Sequence, residues 1–206
     1  MKDYIDVSRY QGTIDWEQVK NKVGGAMLKT VSTNKSFGGI YIDPTFERNY
    51  QECKRLGIPV GVYYYTYAQT PERVAEELAK LREALTGKTF ELPIAVDVED
   101  NKLKPLPADE LTDLVISAAD AIESWGLYAM VYTYTSYANT ELNMDRLAAY
   151  DLWIADYRGK RPTRKHGMWQ YTSEGRLPGI NANVDKNHVY KDYPAIIKRA
   201  GLTQMK

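Results

Sequence analysis

Strand-like apolar segments alternate with capped helical patterns along this chain, and the alternation restricts the possible folds more than any other feature. The first five segments start at residues 4, 26, 58, 92 and 128. Repeated strand–helix units predict an α/β fold with a parallel sheet and right-handed crossovers. The fourth segment, residues 92–99, is apolar almost throughout, which is typical of a strand covered on both faces.

The spacing changes after the fifth strand. Apolar segments recur at residues 152–155, 168–171 and 184–185, which leaves room for at most a very short helix between them. A complete βαβ unit takes ~30 residues. The pattern therefore predicts about five βα units followed by about three strands, closed into a barrel. No low-complexity linker divides the 206 residues, so we expect one domain over residues 1–206.

Composition excludes several classes of protein. Lysine and arginine total 27, as do aspartate and glutamate, so the zero net charge argues against a nucleic-acid binder. Cys53 is the single cysteine, so neither an intramolecular disulfide nor a multi-thiolate zinc site is expected, and its helical position predicts core packing. No segment has the ~18 apolar residues of a membrane span. The acidic start, with no apolar run, predicts a chain made without a visible export signal.

Carboxylates stand where several predicted strands end. Asp6 belongs to strand one, Asp97 and Glu99 to strand four, and Asp185 to the last strand. Active sites of parallel barrels lie at the C-terminal strand ends, so we expect these acids to share one site. Asp97 and Glu99 point to the same face with Cβ atoms ~7 Å apart. Such crowding favours one protonated carboxyl, which is the arrangement that glycosidases use.

Other chemistries find less support. His166 and His188 are the only histidines and neither has metal-ligand spacing, so we predict no metal and no cofactor. No serine-nucleophile elbow or phosphate loop is present.

The chain has 17 tyrosines and 4 tryptophans against 3 phenylalanines, and rings that also form hydrogen bonds suit sugar surfaces. Tyr63, Tyr65 and Tyr132 are candidates for lining a cleft, and the aromatic residues Trp153, Tyr157 and Trp169 for stacking on sugars. Barrel filling and strand propensity are the alternative explanation. Residues 158–165 hold five basic side chains, which we interpret as a solvated loop, with an anionic wall polymer or nucleic acid as the alternative partner.

Several ordered motifs together resemble those of glycoside hydrolase family 25, the Chalaropsis-type lysozymes. The resemblance covers essentially the whole chain. The motifs are 6–12 (DVSRYQG), 14–16 (IDW), the spaced set Asp43, Phe46, Asn49, Gly57, Gly61 and Tyr63, then 97–99 (DVE), 152–157 (LWIADY), 169–173 (WQYTS), 178–180 (PGI) and 184–187 (VDKN). Two departures are Tyr64–Tyr65 after strand three and residues 30–34, which lack the Glu-Gly often found after strand two.

The resemblance implies a TIM-like flattened (β/α)5β3 barrel that hydrolyses the β-1,4 bond between N-acetylmuramic acid and N-acetylglucosamine in peptidoglycan. Glu99 would be the general acid/base, Asp97 would position the substrate or its N-acetyl group, and Asp6 and Asp185 would complete an acidic floor. Gln170, in the closing motif, joins the substrate-binding candidates. Whether the reaction is a direct displacement or is assisted by the substrate's acetamido group is left open.

The implied partner is the glycan strand of the bacterial cell wall, bound by a monomer without nucleic acid or membrane. We expect action at the wall, by a phage-type lysin released from the cytoplasm or by a trimmed secreted domain. Two alternatives remain at this point: a non-catalytic barrel that only binds wall glycan, and a chitin-directed hydrolase. The intact set of acids argues against the first.

Overall fold

Eight strands close into a barrel in this computed structural model, which describes residues 2–206; Met1 of the expected domain lies outside that range. The barrel order is β1-β10-β9-β8-β7-β6-β5-β2, and β3 pairs with β4 in a separate hairpin. The closed α/β barrel confirms the predicted fold. The strands of the described residues are β1 (Tyr4–Val7), β2 (Gly25–Lys29), β3 (Val31–Asn34), β4 (Gly39–Ile42), β5 (Val60–Tyr65), β6 (Ile94–Asp97), β7 (Ala129–Tyr134), β8 (Asp151–Ala155), β9 (Met168–Leu177) and β10 (Ile180–Val189).

Helices follow each of the first five barrel strands, whereas β8, β9 and β10 follow one another without a helix between them. This matches the predicted change of spacing. The helices are α1 (Trp16–Val19), α2 (Phe46–Arg55), α3 (Pro71–Leu85), α4 (Ala108–Ser124), α5 (Thr135–Thr140) and α6 (Tyr193–Ala200). Within residues 2–206, no helix is both long and apolar enough to cross a bilayer.

The last strand corrects the expectation of a fully parallel sheet. β10 runs antiparallel to both of its neighbours, β9 and β1. The physical reason is the short turn at Pro178–Gly179, because strands joined by a hairpin must be antiparallel. Asp185 consequently lies in the middle of β10, directly opposite Asp6, and not at a C-terminal strand end.

The β3–β4 hairpin was not predicted, and the second strand is shorter than expected. Strand β2 ends at Lys29. The backbone N–H and the hydroxyl of the next residue, Thr30, both donate to the Tyr63 carbonyl, each at 2.8 Å. The Thr30 carbonyl in turn accepts from the backbone N–H of Asp43. The chain therefore leaves the barrel at Thr30 and returns through the hairpin before α2.

The barrel interior is filled by large apolar side chains and tolerates little extra volume. Met27, Met130 and Met168 are fully buried there. A Cβ added at Gly61 would come within 2.6 Å of Leu92 Cβ and the Pro93 carbonyl, so only glycine fits between these strands. Cys53 packs in the outer layer between helices and strands, fully buried, as predicted.

Two buried polar contacts fix α1 and α2 against the barrel mouth. The Trp16 indole N–H donates to Asn49 Oδ1 at 3.0 Å, and both side chains are buried. The buried Asp43 carboxylate accepts from the Arg9 backbone N–H at 3.0 Å and from the Thr45 backbone N–H at 2.9 Å. These bonds hold the loop after β1 in place, and that loop borders the site described below.

Replacing Asn49 with alanine should lower the free energy of unfolding by about 1–3 kcal/mol, because the buried Trp16 N–H loses its acceptor. Urea denaturation followed by fluorescence measures the change. The matched control is Gln51→Ala on the same helix. Within the described part of the chain its exposed side chain bonds only to Glu47, so the free energy of unfolding should change by about 0.5 kcal/mol or less. Equal stabilities of the two variants would show that the indole–amide bond contributes nothing.

Candidate active site

A cleft of about 360 Å³ opens at the barrel mouth, where β1, β2, β5, β6 and β7 end. Ten of the eleven side chains predicted as site candidates line it, and Trp169 does not. Ser8, Tyr10, Gln11 and Lys29 also line it and were not predicted. The predicted ten are Asp6, Tyr63, Tyr65, Asp97, Glu99, Tyr132, Trp153, Tyr157, Gln170 and Asp185.

Three strands bring the four carboxyl groups together. Asp97 is the last residue of β6, and Glu99 lies two residues beyond it, outside the strand that was expected to contain it. Asp6 and Asp185 are direct cross-strand partners on β1 and β10. Like charges in that position destabilise a sheet, and such local conflicts are typical of functional sites. Asp6 and Asp97 are buried, whereas Glu99 and Asp185 are half-buried.

Two amide side chains hold the Asp6 carboxylate. Asn187 Nδ2 donates to Asp6 Oδ2 at 2.8 Å, and Gln170 Nε2 donates to the same oxygen at 3.0 Å. Asn187 is fully buried, and its Oδ1 accepts from the Trp153 indole N–H at 2.7 Å. The indole therefore fixes which way the Asn187 amide faces.

The hydroxyls of Tyr132 and Tyr157 bond to the second amide, that of Gln170. Both donate to Gln170 Oε1, at 2.8 and 2.6 Å. With its oxygen occupied by two donors, the Gln170 amide presents its N–H to Asp6. A continuous hydrogen-bond network therefore joins β7, the segment after β8, β9 and β1.

Burial raises the pKa of all four carboxyl groups. It raises the pKa of Asp6 and of Asp97 well above the usual range, and the Asp185 charge adds to the effect on Asp6, as Glu99 does on Asp97. The pKa of Glu99 rises to about 7 through burial, with further increases from Asp185 and Asp100. Burial raises the pKa of Asp185 to about 6. The cleft thus holds a carboxylic acid that keeps its proton near neutral pH.

Lys29 opposes these shifts and was missed by the sequence analysis. Its ammonium lies 4.8 Å from the Tyr65 ring centre and 5.9 Å from that of Tyr63, and its charge lowers the pKa of both Asp97 and Glu99. Among residues 2–206 no carboxylate comes within 4 Å of its nitrogen. The strand-end argument would have found it, because Lys29 ends β2, but only acids were sought there.

The aromatic candidates differ in what they present to the cleft. The Tyr157 side chain is 53% exposed, whereas Trp153 is 1% exposed and packs edge-on against Tyr132 with 4.6 Å between ring centres. Trp169 is not among the lining residues, since its indole is buried and donates to the Asp156 carbonyl. Tyr157 is therefore the predicted stacking residue with the most accessible ring.

A proton donor with a pKa near 7, set among other carboxyl groups, suits acid–base chemistry at a glycosidic oxygen. Two properties of the cleft suit this acid–base chemistry. Glu99 is accessible from the cleft, and Asp97 Oδ1 is buried and accepts no hydrogen bond from residues 2–206. In the same described part, no three His, Cys, Asp or Glu side chains are grouped to hold a metal ion.

Comparison with known proteins gives consistent matches. Residues 5–180 match the sequence profile of glycosyl hydrolases family 25. The autolytic lysozyme of Clostridium acetobutylicum is 28% identical over 183 residues, which cover 88% of this chain and 53% of that protein. The uncharacterized protein YegX of Escherichia coli O157:H7 is 32% identical over 190 residues, covering 89% of this chain and 67% of YegX.

A solved structure shows the same fold. The modular autolysin LytC of Streptococcus pneumoniae, in complex with a synthetic peptidoglycan ligand, superimposes with a TM-score of 0.79 at 28% identity. The match covers 92% of this chain and 46% of LytC. The chain thus spans about half the length of the clostridial lysozyme and of LytC. With the profile matching most of its length, the chain belongs to glycosyl hydrolases family 25.

Proposed function

We propose that residues 1–206 form the catalytic domain of a muramidase. It hydrolyses the β-1,4 bond between N-acetylmuramic acid and N-acetylglucosamine in bacterial peptidoglycan. The observation that carries the proposal is the cleft that gathers Glu99 with three further carboxyl groups, where burial raises the pKa of Glu99 to about 7. Family membership supports it, as do a relative named as a lysozyme and a similar structure solved with a peptidoglycan ligand.

Glu99 acts as the general acid and then as the base. Its carboxyl proton goes to the glycosidic oxygen as the bond to the leaving sugar breaks. The resulting carboxylate then takes a proton from the attacking water. Burial provides the proton at neutral pH, because it disfavours the charged form of Glu99.

Asp97 positions the substrate beside Glu99. Its Oδ1 has no donor within the described residues and is buried, so an N–H brought by the substrate can satisfy it. The acetamido group of the sugar carries such an N–H. The carboxyls of Asp6 and Asp185 supply negative potential where positive charge develops on the sugar ring.

Tyr63, Tyr65, Tyr132, Trp153, Tyr157 and Gln170 form the walls that bind the glycan, and Tyr157 offers its exposed ring to a sugar face. The protein acts as a monomer at the bacterial wall. The zero net charge argues against a nucleic acid as the partner.

Replacing Glu99 with glutamine should lower the rate of peptidoglycan hydrolysis by about 10²–10⁴-fold, because an amide cannot donate the required proton. Loss of turbidity and release of reducing ends from purified peptidoglycan measure the rate. The control is Glu83→Gln, an exposed side chain on α3 that, among residues 2–206, is paired only with Lys80 and should leave the rate unchanged.

Two outcomes would replace the proposal. Sedimentation of the wild type with the wall, without release of reducing ends, would identify a glycan-binding barrel that performs no chemistry. Equal turnover of chitin oligomers, which lack the lactyl ether, would identify a chitin-directed hydrolase.

Two substitutions that each remove one charge should shift the pH profile of kcat/KM in opposite directions. Lys29→Met removes a positive charge that favours ionised Glu99, so the pKa of Glu99 rises and the alkaline limb moves to higher pH. Asp185→Asn removes a negative charge, so the limb moves to lower pH. Each shift should be roughly one pH unit.

Lys22→Met is the matched control for these profiles, because Lys22 is exposed at the opposite end of the barrel. Its alkaline limb should coincide with that of the wild type, near pH 7. Superimposed profiles for all four proteins would show that the group titrating in that limb is not Glu99.

A further inference from the structure

Glu99 borders a second hollow besides the acidic cleft. This hollow, of about 390 Å³, lies over the ends of β7 and β8 and the start of α5. Glu99, Tyr132 and Tyr157 line both spaces, so the two meet at the proposed proton donor. A bond broken at Glu99 would leave one part of a glycan strand on each side.

The charge changes across this boundary. Among the described residues that line the hollow, Asp156 is the only carboxylate besides Glu99, and its side chain is buried. Asp156 Oδ2 accepts from the Thr135 hydroxyl at 2.7 Å and from Arg158 Nη2 at 2.5 Å, and Oδ1 accepts from Arg158 Nε at 2.9 Å. Arg158 also holds the pKa of Asp156 below its usual range. Both oxygens of the Asp156 carboxylate therefore already accept hydrogen bonds from the protein itself.

Part of the Arg158 guanidinium remains available to a ligand. Its fork bonds to Asp156 through Nε and Nη2, while Nη1 has no hydrogen bond to residues 2–206 and the side chain is 75% exposed. The two bonds hold the planar guanidinium in one orientation, which suits a second planar acceptor. Arg164 adds positive charge beside the hollow, where its Nη2 donates to Asn139 Oδ1 at 3.0 Å.

We propose that the second hollow receives the leaving part of the glycan strand and that Arg158 binds a carboxylate carried by that part. The inference rests on the proposed hydrolysis at Glu99. The acidic cleft suits the sugar on which positive charge develops, so the departing half occupies the other space. Two sources of carboxylate exist in peptidoglycan: the peptide stem and, on strands without stems, the lactyl ether.

Arg158→Gln should raise KM by about three- to tenfold on strands that carry carboxylates, with little change in kcat. Three soluble substrates are compared: strands with peptide stems, strands freed of stems by an amidase, and strands whose carboxylates are blocked as amides. The variant and wild type should have equal KM on the blocked strands. A rise in KM that persists after amidase treatment identifies the lactyl carboxylate, and one that disappears identifies the stem.

The control is Arg199→Gln, which removes an exposed arginine on α6, outside both spaces, and should match the wild type on every substrate. Arg158→Lys keeps a positive charge beside Asp156. An ammonium, unlike the guanidinium, has no second edge of N–H groups that could bind a ligand. We expect it to preserve the melting temperature while its KM stays raised. This separates ligand binding from a purely structural role.

Calorimetry measures the affinity of the same strands for Glu99→Gln, with and without Arg158→Gln. It tests the contribution of the arginine to binding in the absence of turnover. Loss of affinity only for carboxylate-bearing strands supports the inference. An equal loss on blocked strands, or none on any strand, overturns it. A wild type that binds the strands in this way but releases no reducing ends would overturn the proposed hydrolysis while leaving the arginine site standing.

Discussion

The burial of several carboxyl groups at one barrel mouth is the constraint on which the rest of the structure depends. A carboxylate taken out of water beside others is disfavoured, so the charge must be reduced or compensated. Here Glu99 and Asp185 have pKa values raised to about 7 and 6. Asp6, a buried acid of the cleft, is compensated by two amide N–H donors, from Asn187 and Gln170.

Closure of the barrel by an antiparallel strand makes this crowding possible. With β10 reversed, Asp185 stands opposite Asp6, and Asn187, two residues further on, still reaches the Asp6 carboxylate. The same strand thus supplies both a repelling charge and a compensating donor. The hairpin joins β9 to β10 and a loop without a helix joins β8 to the parallel β9, so these three strands complete the barrel in a short length of chain.

The fold and the position of the site could largely be predicted from the sequence, because strand spacing and strand-end acids are local signals. Asp6, Asp97 and Glu99 follow directly from where apolar segments end. Asn187 could not be found in this way, since its role depends on the direction of β10, which is set by a turn. The β3–β4 hairpin was hidden because Thr30 interrupts the second strand by bonding to Tyr63, a contact between residues distant in sequence.

The amide of Gln170 receives two phenolic hydroxyls on its oxygen, and this arrangement has an entropic consequence. Rotating the amide by half a turn would bring its oxygen against the Asp6 carboxylate and remove the bond from Gln170 Nε2 to Asp6. Three mobile side chains are therefore immobilised when the polypeptide folds, Tyr157 among them although half of it faces solvent. A sugar arriving at this wall meets rings that are already ordered, so little conformational freedom remains to be lost on association.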